Sequence, residues 1–191
     1  MNNPILETIK SRRSIRKYTA EQIKEEELQT ILEAGMWAPS AGNSQGWHFT
    51  VVQQREVLDW LNRSAKEAAK KFEIEYIQKM ANNEKLNVFY NAPTVVVVSG
   101  DASDTEAVEA NCAAATQNML LAAEALGLGA CWVNFIRHPC NFFAEEDRTE
   151  FLQKLGIPQG YKPYSSIVLG YKKYDASVAP ERKPNLVNYI R

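Results

Sequence analysis

Five cations fall between positions 10 and 17, at Lys10, Arg12, Arg13, Arg16 and Lys17, with the hydroxyl of Ser14 among them. A dianionic phosphate wants this combination, because arginine can engage two of its oxygens at once and a serine hydroxyl can fill a third position. The same run also reads as a solvated basic turn, since charge runs are usually surface. It makes a poor nucleic-acid strip, with Tyr18 the one aromatic platform beside it. A second group, Ser40-Ala41-Gly42-Asn43-Ser44-Gln45-Gly46, gathers backbone N–H groups, two hydroxyls and two side-chain amides. It suits hydrogen bonding to a flat polar heterocycle or its sugar chain, or it simply joins a helix to a strand.

No glycine-rich dinucleotide fingerprint, Walker-type phosphate loop or nucleophile-elbow motif occurs. The two histidines, His48 and His138, have no local carboxylate and nucleophile around them. Any chemistry is therefore expected to be borrowed from a cofactor. Cys131 beside Trp132 reads as a small buried apolar residue rather than a reactive thiol. With Cys112 and Cys140 it forms no C-x-x-C pair and no zinc pattern, which predicts free thiols in a reducing cytoplasm.

The elements that must position these groups follow from the apolar pattern. A length of 191 residues, 45% hydrophobic and 24% charged, suits one globular domain over 1–191. A net charge of −1 gives no global basic field for nucleic acid or anionic membrane, so any anion site is local. The N-terminus lacks a signal-peptide layout, and the apolar stretch 107–126 carries Glu109, Asn111, Gln117, Asn118 and Glu124, too polar to span a membrane. A cytoplasmic protein is expected.

Ile5, Leu6 and Ile9 predict a short helix running into the basic cluster. Thr19, with Gln22 in the capping-box position, predicts the start of a second helix with Leu28, Ile31, Leu32 and Met36 on its inner face, ended by Pro39. Residues 47–52 read as a strand, followed by an amphipathic helix from near Arg55. The segment 64–90, rich in Phe72, Ile74, Tyr76, Ile77, Met80, Phe89 and Tyr90, reads as helix or as a mobile cover. Thr94 to Val98 predicts a strand buried on both faces. The stretch 106–126 predicts a central helix buried against sheet or against another subunit, closed by Gly127 and Gly129. Strands at 129–133 and 166–169 and a helix at 145–155 follow. The tail from Tyr171 is polar and proline-bearing, either disordered or laid over a partner. Alternating helices and strands argue for a mixed sheet with helices on its faces.

Taken together, Ser11-Arg12-Arg13-Ser14-Ile15-Arg16, then Leu28 to Ala34 leading to Ala38-Pro39-Ser40-Ala41-Gly42-Asn43-Ser44-Gln45-Gly46-Trp47, resemble the opening of the nitroreductase superfamily, whose pattern is R-[RH]-S-x-[RK] followed by A-P-S-x-x-N-x-Q-P-W. The resemblance continues through Ala92-Pro93, Gly127-Leu128-Gly129, Val168-Leu169-Gly170-Tyr171 and Pro180-Glu181-Arg182-Lys183-Pro184. Gly46 departs from it, standing where the family usually has proline.

The resemblance implies an α+β fold, a mixed central sheet flanked by helices in an intertwined homodimer. Two FMN sites would lie at the subunit interface, with residues 171–191 packing on the partner. Arg12, Arg13 and Ser14 would hold the phosphate end with Arg182 and Lys183 of the tail, and Arg16 would lie near the flavin N1 and O2 edge. Pro39, Ser40, Asn43 and Gln45 would reach FMN from the other subunit, and Trp132 and Asn134 would approach N5. No side chain would be catalytic: NADH or NADPH would reduce the flavin, a cation at Arg16 would stabilise its reduced, anionic form, and a nitro compound, quinone or related acceptor would then take the nicotinamide's place. The alternatives are a specialised flavin reaction such as reductive dehalogenation or flavin fragmentation, a flavin-binding or regulatory protein, and a non-flavin protein whose basic turn faces water.

Overall fold

The structure, a computed structural model, describes residues 3–104, 107–175 and 178–191. Seven helices and four strands follow in the order α1 (Pro4–Ser11), α2 (Glu25–Met36), a 3-10 turn (Ala41–Asn43), β1 (Trp47–Val52), α3 (Arg55–Ala69), α4 (Glu75–Asn82), β2 (Thr94–Asp101), α5 (Val108–Ala125), β3 (Gly129–Val133), α6 (Arg137–Phe142), α7 (Glu145–Lys154) and β4 (Tyr161–Gly170). Of the helix expected over 106–126, Glu106 lies outside the described residues. Among the described residues no helix is long and apolar enough to cross a membrane.

The strands form one sheet in the order β1-β2-β4-β3, each neighbouring pair antiparallel. Parallel pairing enters where the chain before β1 lies beside β3, at the bridge between Ser14 and Ala130. The unbroken apolar run of β2 has a simple cause. Side chains alternate across a strand, and Val95 and Val97 join one core while Val96 and Val98 join the other. On the first face α3 sets down Leu58, Leu61 and Ala65, and α7 adds Phe151. On the second, α2 contributes Leu28 and Ile31, and α5 contributes Cys112, Met119, Leu120 and Ala123. The approach of α5 is close enough that a Cβ on Gly100 would lie 2.4 Å from Val108 Cγ2. The hydroxyls of Thr116 and Ser165 bridge helix and sheet at 2.6 Å.

Two expectations for α2 are corrected. It begins at Glu25, not after Thr19; the Lys24 N–H donates to Glu27 Oε2 at 2.9 Å, so the helix is capped five residues later than expected. Thr19 instead follows an extended segment and donates its own N–H to Tyr171 O at 3.0 Å, and the Gln22 side chain is drawn to the start of β2, accepting from Thr94 Oγ1 at 2.7 Å. A long-range tie thus outcompetes the local cap. Met36, expected on the inner face, is 54% exposed, because α2 ends there and the chain turns away through Trp37. The segment 64–90 resolves into the end of α3, α4 and a turn: Ala65, Ala68, Ala69, Val88 and Phe89 are buried, while Ile74 and Tyr76 stay exposed.

Candidate functional site

Asn3 caps α1 by accepting from the N–H groups of Ile5 and Leu6, and the helix stops at Arg12. The chain then runs extended along β3. Ile15 N–H donates to Ala130 O at 2.9 Å, the Ile15 side chain is buried, and the Tyr18 hydroxyl donates to Ile15 O. Gly129 makes this approach possible, since a Cβ there would lie 2.9 Å from Ile15 Cγ2. Ile15 and Tyr18 turn inward, and of the arginines beside them Arg12 is half-buried and Arg16 exposed. Neither pairs with a carboxylate among the described residues. Arg13 folds back, Nη1 donating to Lys10 O at 2.7 Å and Arg12 O at 2.8 Å.

Arg16 donates to Ser14 O at 3.4 Å and lies with its guanidinium carbon 5.8 Å from the centre of the Tyr90 ring. Burial works against its charge, but the hydrogen bond to Tyr90 and the neighbouring Cys131 and Tyr174 side chains favour it, and the balance holds the proton more tightly than usual. Tyr90 has φ +57° and the next residue, Asn91, φ +53°, a left-handed pair that is costly for residues with a Cβ. Cys131 is buried as expected. Burial raises its thiol, with Arg16, Ser14 and Arg12 pulling the other way.

Beyond Arg16 and Tyr90 opens a cavity of about 540 Å³ between α4 and the segment from β3 into α6. Trp132 and Asn134 line it, with Trp132 Nε1 donating to Asn134 Oδ1 at 2.7 Å. Phe72, Tyr76, Phe135, Arg137 and His138 complete the wall. His138 is buried among Phe72, Phe135 and Phe142, and its Nδ1 has no partner. Sequence reasoning assigned no site role to Arg137 or His138; the available signal was two polar side chains a few residues after a buried strand.

Elsewhere, the Ser40–Gly46 loop is held by its own side chains. Ser40 Oγ accepts from Gln45 N at 3.0 Å, Asn43 Oδ1 accepts from Gln45 Nε2 at 3.2 Å, and Asn111 of α5 accepts from Ala41 N at 3.0 Å. Asn43 and Gln45 take left-handed φ of 54° and 48° and are exposed, as is Pro39. This loop enters β1 at one edge of the sheet, whereas Arg12–Arg16 flanks β3 at the other. Four strand spacings separate the two edges, roughly 19 Å. Within one chain Ser14, Arg16, Trp132 and Asn134 are brought together, and Ser40, Asn43 and Gln45 stand apart. Arg182 and Lys183 lie in an exposed tail and make no hydrogen bond or ion pair to the rest among the described residues. The donor set at Arg12, Ser14 and Arg16 fits a phosphate ester with a flat group extending toward Trp132. Among the described residues no cluster of three or more His, Cys, Asp or Glu side chains suits a metal.

A family model described as the nitroreductase family matches residues 9–171, from the basic segment through the end of β4. The chain belongs to the nitroreductase family. A solved nitroreductase with bound FMN from Bacteroides fragilis is 35% identical and superimposes with a TM-score of 0.89, covering 100% of each chain. An NADPH-flavin oxidoreductase of Vibrio harveyi is 32% identical over 195 residues, covering 100% of this chain and 72% of that protein. A protein of Archaeoglobus fulgidus, provisionally named an NADH dehydrogenase or NAD(P)H nitroreductase, is 36% identical over 173 residues, covering 88% of this chain and 85% of that one. As a nitroreductase the chain has the expected α+β fold, and it has the family's basic segment and amide loop at opposite edges of one sheet.

Proposed function

We propose that this nitroreductase is an FMN-dependent NAD(P)H oxidoreductase acting as a homodimer, with FMN seated between the basic segment of one chain and the Ser40–Gln45 loop of its partner. The observation that carries the reading is the separation of two donor-rich segments at opposite sheet edges, each with exposed polar side chains and neither closing a site alone. A two-fold partner can bring one copy of each together. The relatives named for FMN, flavin or NAD(P)H support the cofactor and the donor.

Bound FMN would supply the redox chemistry, accepting a hydride from NADH or NADPH and passing two electrons to an organic acceptor such as a nitro compound or quinone. The residues of this chain bind and orient. Arg12 and Ser14 would hold the phosphate, with Arg13 and, from the tail, Arg182 and Lys183 adding charge, and Arg16 would present a cation to the flavin, favouring the reduced form. Ser40, Asn43 and Gln45 of the partner subunit would donate to the cofactor, with Pro39 fixing their loop. Trp132 and Asn134 would lie toward the reactive edge, and the aromatic cavity beside them would receive donor and acceptor in turn. One cavity for both predicts ping-pong kinetics, with parallel reciprocal plots.

The purified protein should be yellow, or become so with added FMN, and its absorbance near 450 nm should bleach anaerobically with NADH or NADPH. Protein that takes up no FMN would contradict the reading, and protein that binds FMN without bleaching would be a flavin carrier instead.

A further inference from the structure

We propose that the aromatic cavity selects planar acceptors bearing a carboxylate or sulfonate, and that Arg137 is the selecting residue. The inference rests on the FMN reading above and names the acceptor class for the same site.

The wall is mostly aromatic and apolar, lined by Phe72, Tyr76, Trp132 and Phe135 among others, and about 540 Å³ holds a one- or two-ring compound. Among the described residues Arg137 is the one charged side chain that lines the cavity, and no Asp or Glu does. Glu109 of α5 contacts Arg137 through Nη1 alone, at 2.7 Å, and its side chain is 62% exposed. Among the described residues Nε and Nη2 have no protein partner, so the guanidinium is anchored without being consumed. Asn134 adds to the same polarity. Its oxygen is taken by Trp132 Nε1, which leaves the Nδ2 hydrogens to donate. His138 contributes no competing cation, because burial first and the charge of Arg137 second lower its pKa. The cavity thus presents donors and one positive charge against apolar walls. An oxygen-rich anion is matched and a cation is repelled in a partly desolvated space.

The test uses the FMN-loaded protein and three acceptors of similar shape: 4-nitrobenzoate, 4-nitrobenzyl alcohol and 4-nitrobenzyltrimethylammonium. Intrinsic reactivities cancel when kcat/KM for each is divided by its value in Arg137→Gln. That ratio should be about tenfold for the anion, near one for the alcohol and below one for the cation. Glu109→Gln should move the anion the opposite way, raising its kcat/KM by about threefold by freeing the charge of Arg137. A role in folding alone cannot produce opposite shifts from the two partners. Equal ratios for all three acceptors overturn the inference while leaving the FMN reading intact, as does a loss in Arg137→Gln that follows NADPH against NADH instead of acceptor charge. Turnover of none of the three by protein whose FMN is bleached by NADH or NADPH also overturns the inference alone, whereas bound FMN that neither nicotinamide bleaches overturns both.

Discussion

Arg12 and Arg16 are cations without counterions among the described residues, held by a backbone that fixes where they point. That arrangement was half legible. The composition of the run showed an anion site or a basic turn; which residues face outward depends on Ile15 and Tyr18 being buried against β3, a long-range fact. Arg12→Ala should weaken FMN binding by about 1–3 kcal/mol, the worth of a charge-assisted hydrogen bond, measured by fluorescence titration. An unchanged affinity would remove Arg12 from the phosphate site. His138 makes a second prediction, in stability. Burial and the adjacent Arg137 hold its pKa below the ordinary 6.5, so below that pH the unfolded chain binds the extra proton first. Stability therefore rises with pH through this window and falls on acidification. Besides Arg137, Lys71 reaches the helix that carries the ring, its Nζ donating to Phe142 O. Replacing His138 with Phe should flatten the loss of Tm between pH 7 and pH 5, and a melting curve that falls as steeply as in the wild type would contradict it.

Among the elements, strands and the longer helices were legible because each carries a periodic apolar face, and β2 because β-branched residues fill both faces. The start of α2 was not. Thr19 and Gln22 have the types and spacing of a cap, but Thr19 pairs with Tyr171 and Gln22 with Thr94, partners far along the chain. Nor could spacing show that Tyr90 and Asn91 adopt left-handed backbone, which sets the Tyr90 ring under Arg16. Glycines were read as helix terminators, whereas Gly129 also lets the basic segment lie against β3. Adding a methyl there puts a Cβ 2.9 Å from Ile15 Cγ2 and 3.1 Å from Tyr18 Cε1. Gly129→Ala should cost about 1–3 kcal/mol of stability by overpacking, and should loosen FMN by displacing Ser14 and Arg16. Thermal melts and FMN titration on the same variant check both, and an unaltered Tm would mean that the segment yields freely.

The whole molecule exposes more apolar surface than one chain explains. Ile5, Leu6 and Ile9 of α1 are 69%, 50% and 46% exposed, and Trp37, Leu186, Val187, Tyr189 and Ile190 lie open as well. The proposed homodimer would have such a surface to bury: α1 runs into the basic segment and Trp37 lies just before the Ser40–Gln45 loop. The family resemblance implied a homodimer, and the sheet order, which sends the basic segment and the Ser40–Gln45 loop to opposite edges, is what the proposed two-chain site rests on. Complementation tests that most directly. One variant carries Arg12→Ala and the other Ser40→Ala, Asn43→Ala and Gln45→Ala together, each expected to bind FMN poorly as a homodimer. In a mixed dimer built across two chains, one site has both defects and the other has none. Random mixing should therefore restore wild-type FMN affinity to roughly a quarter of all sites. If each site lay within a single chain, mixing would restore none.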